Sequence, residues 1–328
     1  MHLAWILAGA TATGKTAVAQ LLAERLGCAI LSADAMLVYR GMDIGTAKPT
    51  PAERGSVPYF GIDLVTPADT FSTGLWLADA ERALRSTQTS SAMEGERPRE
   101  PLREAALPAC GLIVAGGTGL YIKALTAGFD SEASDPASRA RWQALFDREG
   151  LAALQRALAA RAPDALASLA DPSNPRRLIR ALEHLDAHVR LPQQWKRDTP
   201  AAPITVLHLP RKQLHARIER RVAAMFRQGL ADEVRALRQT CPVWSATALQ
   251  AIGYAEVCAL LDGELSEQAA FEKIVIRTRQ LAKRQETWFR HQAQAVWLEI
   301  DENDPPAHIA GRVLETWRQH GPTPILSP

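Results

Sequence analysis

Cysteine is scarce in this 328-residue sequence. Cys28, Cys110, Cys241 and Cys258 stand far apart, without C-x-x-C spacing or a histidine partner pattern. That distribution argues against a zinc site or a disulfide framework and leaves a reduced, cytosolic chain as the simple reading. No apolar run is long enough to span a bilayer. The N-terminal run Leu3–Ala8 is too short for a secretory core and leads straight into a glycine loop. Excess charge of one sign is missing as well. A formal charge of +2 does not announce a nucleic-acid binder, although phosphate tracking needs only a local basic stripe. Arginine far outnumbers lysine, which suits phosphate recognition. Alanine is abundant too, so codon bias outranks recognition as the explanation. What is present is apolar material: 47% hydrophobic residues suffice for a core, and the length suits one large domain with an insertion.

Residues 3–8 read as a buried strand, Gly9–Thr16 as a loop and Ala17–Leu26 as a helix. Further apolar runs at Ala29–Ser32 and Leu112–Ala115 end at Asp34 and at Gly116–Gly119, so strands alternate with helical segments in the α/β manner and their ends share one crevice. Ser86–Pro108 is rich in Ser, Thr, Glu, Arg and Pro and is expected to be an exposed, mobile loop. Between Ser131 and Ala187 there are only helical patterns, broken at Pro136, Gly150, Pro163 and Pro172, which marks a helical insertion. Strand character returns at Ile204–His208, and the remainder reads as long helices, among them Leu214–Gln228 and Glu267–Arg290. The expected division is 1–130 with 190–328 as core and 131–189 as insertion.

Gly9-Ala10-Thr11-Ala12-Thr13-Gly14-Lys15-Thr16 satisfies G-x-x-x-x-G-K-[ST], placed after a strand and before a helix. In that setting backbone N–H groups cradle a diphosphate, Lys15 supplies a point charge and the Thr16 hydroxyl binds Mg²⁺. A nucleotide hydrolase also needs a carboxylate at the end of an apolar strand. Leu112–Ala115 ends in glycines, and Asp63 sits inside its run, where it marks a turn or sheet edge equally well. The loop is therefore suited to hold a diphosphate leaving group. Asp34 follows the second strand, where a carboxylate can take a proton from an attacking nucleophile; an N-cap or a Mg²⁺ ligand are the duller alternatives. Thr118 can hydrogen-bond the same nucleophile or cap a helix.

Several blocks are specific. Ser32-Ala-Asp34-Ala-Met-Leu-Val-Tyr39 with Met42-Asp43-Ile-Gly45-Thr46-Ala-Lys48-Pro49, Ala115-Gly-Gly-Thr118-Gly-Leu-Tyr121, Gln250-Ala-Ile-Gly253-Tyr254 and Arg277 to Phe289 follow the phosphate loop in order. Together they resemble the tRNA dimethylallyltransferase (tRNA isopentenyltransferase) family, over residues 9 to about 298. The resemblance implies a P-loop NTPase-like parallel sheet core flanked by helices, with an all-helical insertion domain. It implies transfer of a dimethylallyl group from dimethylallyl diphosphate to the exocyclic amine of the adenosine beside the anticodon of tRNA. Asp34 would be the general base, Thr118 a partner to the amine, Gly9–Thr16 the diphosphate seat with Mg²⁺, and Arg217 and Arg221 further diphosphate ligands. Asp34, Ala35, Met36 and Leu37 fall on blocks that contact the tRNA anticodon stem-loop in the family. So do Arg139, then Arg176, Arg177, Leu178, Ile179 and Arg180, and finally Lys283, Arg284, Gln285, Trp288 and Arg290. A monomer is implied. Ala10, Ala35, Leu37 and Ala255 depart from the family pattern, the last three at the expense of polar groups that could touch RNA. No Cys/His finger follows Trp297, which favours the bacterial type.

The helix ending at Arg290 can be read on its own. Ile274, Leu281 and Trp288 recur every seven residues as a core-like face, with Arg279, Lys283 and Arg290 opposite. Arg277 and Arg284 fall on the apolar side and should each meet a phosphate, a carboxylate or RNA, because a buried unpaired guanidinium is expensive. A solvated face is the alternative for Arg279, Lys283 and Arg290. Three rivals to the family reading remain: transfer to a free adenine nucleotide, a small-molecule kinase, and a non-catalytic RNA-binding ATPase, which would leave Asp34 and Thr118 idle.

Overall fold

The structure, a computed structural model, describes residues 2–93, 111–128, 135–169, 171–187 and 203–326. In chain order the elements are β1 (His2–Gly9), α1 (Lys15–Leu26), β2 (Ala29–Ala33), α2 (Pro51–Arg54), β3 (Tyr59–Phe60), α3 (Thr73–Met93), β4 (Leu112–Gly116) and α4 (Gly119–Ala127). Four helices follow, α5 (Pro136–Glu149), α6 (Leu151–Arg161), α7 (Pro163–Ser168) and α8 (Pro175–Asp186). The chain then runs through β5 (Ile204–His208), α9 (Arg211–Arg227), α10 (Leu230–Thr240), α11 (Tyr254–Leu261), α12 (Glu267–Gln292), β6 (Ala295–Glu299), α13 (Pro306–His320) and β7 (Thr323–Ile325). They form two compact units, Met1–Phe129 with Ala201–Pro328, and Asp130–Pro200.

The larger unit is a seven-stranded sheet flanked by helices. Six strands run parallel in the order β3-β2-β4-β1-β5-β6, and β7 pairs antiparallel with the start of β1. β1 is central, with Leu7 level with Ala115 of β4 and Thr205 of β5. Its residues are buried from Ala4 onward because helices cover both faces, as expected for a parallel strand. Trp5 and Leu7 enter one core with α1 and α13, where Trp5 stacks on Trp317 at 4.9 Å. Ala4, Ile6 and Ala8 enter the other core with α3 and α4.

Three sequence expectations are corrected in this unit. The segment from Ser86 is not loop from its start: α3 continues to Met93, and the remainder of Ser86–Pro108 lies outside the described residues. The C-terminal part is not all helix. β6 holds no fully buried residue and β7 carries Pro324, so neither gives the apolar run that marked the inner strands. The buried seam of α12 is Val275, Ala282 and Phe289 beside Ile274, while Leu281 and Trp288 are only half-buried. A seven-residue repeat drifts by about 20° per heptad around a straight helix, so the apolar stripe passes to the next residue along. The same drift leaves Arg284 exposed. Arg277, at the edge of the stripe, meets the buried carboxylate of Glu256.

The smaller unit is helical. Proline stands at the first position of α5, α7 and α8, where its missing N–H has no intrahelical partner to lose. Asp135 and Asn174 cap α5 and α8 with side-chain oxygens. Leu154, Leu158, Leu178, Ile179 and Leu182 form its core. The Asp186 carboxylate gathers Ser138, Arg141, Trp142 and Arg161 from α5 and α6. Burial opposes its ionisation, but these donors outweigh it and hold the carboxyl down to about 2.

Candidate active site

The strand–loop–helix opening folds as its glycines require. Gly14 ends the loop at φ 87°, in the left-handed region where a side chain is strained, and stands as N-cap of α1. Thr13 is buried and donates its hydroxyl to Ala10 O at 2.9 Å. Lys15 folds back over the loop, its Nζ donating to Ala10 O at 3.1 Å. Burial lowers the Lys15 pKa to about 8, opposed by Asp34 and assisted by Arg221. Arg217 and Arg221, one turn apart on α9, both reach this region. Arg217 Nη1 donates to Thr13 O at 3.3 Å, and Arg221 Nη2 to Thr46 O at 3.2 Å. Burial also pulls the Arg221 pKa down, with Asp34 acting the other way.

Asp34 lies just past β2 and lines the same pocket as Lys15, Thr16 and Arg221. It caps no helix; Oδ1 accepts the N–H of Met36 at 3.0 Å in a local turn. Thr118 stands at the N-cap position of α4 but makes no capping hydrogen bond with its side chain. Its Oγ1 instead accepts the N–H of Ala35 at 3.1 Å, and its backbone N–H donates to Ala33 O at 2.9 Å. The two proposed chemical residues are thus tied together through the turn after β2. Asp63 is not a strand-end carboxylate. It sits at φ 53° and pairs with Lys48 at 2.6 Å.

The pocket has two characters. Thr11, Lys15, Thr16, Ser32, Asp34, Thr46 and Arg221 bring polar groups to it, and Ala19, Ile30, Leu37, Ala47, Pro49 and Tyr59 bring apolar surface. Leu37, expected at RNA, is therefore a buried wall residue. Ala35 and Met36 are half-buried beside it.

Gln285 and Trp288, expected at RNA, act here as supports of the site, and a third support, Glu233, escaped the sequence reading. Gln285 accepts the N–H of Thr11 at 2.8 Å and donates to Gly117 O at 3.0 Å, so it staples the phosphate loop to the loop before α4. Trp288 follows one turn later, against Gly119, where an added Cβ would lie 2.2 Å from its ring. Gly117 and Gly119 are the sequence trace of the close approach of Gln285 and Trp288, while Gly116 makes room for the backbone of Ala33. Glu233 accepts the N–H groups of Asp43, Ile44 and Gly45 and the hydroxyl of buried Tyr254 at 2.6 Å. Burial, then the Glu233 charge, push the Tyr254 pKa well above its usual value. The clamp fixes the segment that carries Thr46 and Ala47 to the pocket. Nothing in the spacing of Glu233 announces it.

The other residues expected at RNA are distributed by unit. On α12, Lys283, Arg284 and Arg290 are exposed, with Arg290 over the Trp297 ring at 5.7 Å. On the helical unit Arg139, Arg176 and Arg177 are exposed and Arg180 is half-buried, pairing with Glu183 at 3.4 Å. Leu178 and Ile179 point into the core of that unit. No helix among the described residues is long and apolar enough to cross a membrane.

The chain is similar to known proteins over nearly its whole length. The family model described as IPP transferase matches residues 37–94 and 102–292, and a model described as Isopentenyl transferase matches residues 2–58. A tRNA dimethylallyltransferase of Anaeromyxobacter dehalogenans (strain 2CP-1 / ATCC BAA-258) is 40% identical, covering 94% of this chain and 96% of the relative. That of Bacillus subtilis (strain 168) is 36% identical with the same coverage. Among solved structures, the full-length tRNA isopentenylpyrophosphate transferase from Bacillus halodurans superposes with a TM-score of 0.60 at 32% identity, over 97% of this chain and 99% of that one. With matched blocks spanning most of its length and relatives aligned nearly end to end, the chain belongs to the IPP transferase family.

Proposed function

We propose that the protein transfers a dimethylallyl group from dimethylallyl diphosphate to the 6-amino group of the adenosine adjacent to the anticodon in tRNA, releasing diphosphate. The observation that carries this reading is the pocket itself. Buried Lys15 and half-buried Arg221 share it with Asp34, the one carboxylate among its lining residues, and Ala19, Ile30, Leu37 and Pro49 give it an apolar patch. A diphosphate offsets the excess positive charge, and a short prenyl chain matches the patch.

In the reaction the amine nitrogen attacks the prenyl C1, the C1–O bond breaks and its electron pair leaves with the diphosphate. Asp34 takes the amine proton, held by its bond to Met36 and by the Thr118–Ala35 link. Lys15, Arg217, Arg221 and the loop N–H groups oppose the charge that grows on the leaving group. Magnesium is compatible with the donors present. The Thr16 hydroxyl lines the pocket, and no group of three or more His, Cys, Asp or Glu among the described residues could hold an ion on its own. Such a set suits an ion carried mainly by phosphate oxygens and water, with Thr16 as its protein ligand, where it would neutralise diphosphate charge.

The tRNA would be held by the basic residues of both units, Arg139, Arg176, Arg177 and Arg180 on one, Lys283, Arg284 and Arg290 on the other. The target base must leave its stack to reach the pocket. Nucleoside mass analysis after incubation with unmodified tRNA, dimethylallyl diphosphate and Mg²⁺ tests the proposal. Prenylated adenosine is expected beside the anticodon; product from free AMP and none from tRNA overturns the choice of acceptor. Replacing Lys283 and Arg290 together by alanine is expected to raise the tRNA Kd about tenfold at moderate salt. The slope of log K against log salt should fall by roughly 2, one per lost phosphate contact, which filter binding across a salt series reads directly.

A further inference from the structure

Tyr59 on β3 is level with Ile30 on β2, four residues before Asp34. Ala19 on α1 lies one turn past Lys15, and all three side chains line the pocket. The Tyr59 ring is not loose. Its hydroxyl donates to Gln20 Oε1 at 2.8 Å. Gln20 is in turn anchored, its Nε2 donating to Arg54 O at 2.9 Å and to Glu24 Oε1 at 2.8 Å. Burial pushes the phenol up to about 12, so the hydroxyl stays protonated and the tether persists across the working pH range.

We propose that Tyr59, tethered by Gln20, is the end wall that sets the length of the prenyl donor, admitting a five-carbon chain and excluding the ten-carbon one. This rests on the transferase reading above and leaves its chemistry unchanged: the same C–N bond forms, the same C1–O bond breaks and Asp34 receives the same proton. A donor with one more isoprene unit must place five additional carbons where the ring stands. It can bind only by breaking the Gln20 tether and displacing the ring.

The test compares kcat/KM for dimethylallyl and geranyl diphosphate, with unmodified tRNA as acceptor and the full chain as enzyme. The wild type is expected to prefer dimethylallyl diphosphate by about 100-fold or more. Tyr59→Ala should narrow that ratio at least tenfold, whereas Tyr59→Phe, which keeps the ring but loses the Gln20 tether, should narrow it only about threefold. Tyr59→Leu, shorter but still apolar, reads the same ratio should Tyr59→Ala not fold. A wild type that uses both donors equally overturns the wall, as does an unchanged ratio in a variant that still turns over dimethylallyl diphosphate. Absence of any transfer from dimethylallyl diphosphate by the wild type refutes the transferase reading instead.

Discussion

Asp34→Ala is expected to lower kcat for prenyl transfer about 10³-fold, the middle of the range for a positioned general base. Dimethylallyl diphosphate should at the same time bind more tightly, by several-fold at pH 7. Both effects follow from the pocket. Asp34 is its only carboxylate, and its charge offsets that of Lys15 and Arg221, so removing it strengthens the field felt by an incoming diphosphate. Asp34→Asn separates chemistry from architecture. Asparagine can still accept the N–H of Met36 and keep the local turn, yet it cannot take a proton, so it should be as slow as alanine while melting like the wild type. Thr118→Ala, which loses the bond to Ala35 N, should cost about tenfold in kcat. Single-turnover rates and calorimetric Kd values for the four proteins check this. A full-rate Asp34→Asn enzyme, or one in which the diphosphate affinity falls with the rate, removes Asp34 from the base role.

What could be read from the sequence divides along physical lines. β1, β2, β4 and β5 are buried on both faces and appear as short apolar runs, and the phosphate loop declares itself because glycine, lysine and threonine each answer a separate demand of phosphate binding. β6 is a half-buried edge strand and β7 is three residues long and carries Pro324, so neither shows an apolar run and composition hides them. Asp34, Thr118 and Lys15, to which we assign the chemistry, stood out in the sequence; the scaffolding around them did not. Gln285 was expected at RNA, and its supporting role was hidden because its partners, Thr11 and Gly117, are 274 and 168 positions away. Glu233 is equally distant from the backbone it clamps. Long-range hydrogen bonds of this kind leave no periodicity, and they are what hold the loops around the pocket in one arrangement.

Lys15 gives the second large effect, one that varies with pH. Burial holds its pKa at about 8 in the free protein, against 10.5 when exposed. Between those values the folded state carries fewer protons than the unfolded one. The buried charge therefore destabilises the free protein fully below about pH 8, by on the order of 3 kcal/mol, and that deficit fades as pH rises towards 10.5. A bound diphosphate reverses the preference, since an anion against Nζ favours the ammonium form. Affinity for dimethylallyl diphosphate without tRNA should then be level below pH 8 and fall tenfold per unit above it, a loss of about 25-fold between pH 7.5 and 9.5. The ligand's phosphates are already ionised over that range, and arginine does not titrate in it. Binding at pH 8.5 should also take up most of one proton, seen as a dependence of the calorimetric heat on buffer ionisation, while binding at pH 7 takes up almost none. Lys15→Met should bind about 10² to 10³ times more weakly at pH 7 and show neither the slope nor the proton uptake, because charge-assisted contacts to a buried phosphate are among the strongest available. If the wild-type Kd stays level from pH 7 to 9.5, or the methionine variant keeps the slope, then Lys15 is not the cation on which the diphosphate closes, and Arg221 becomes the anchor of the site.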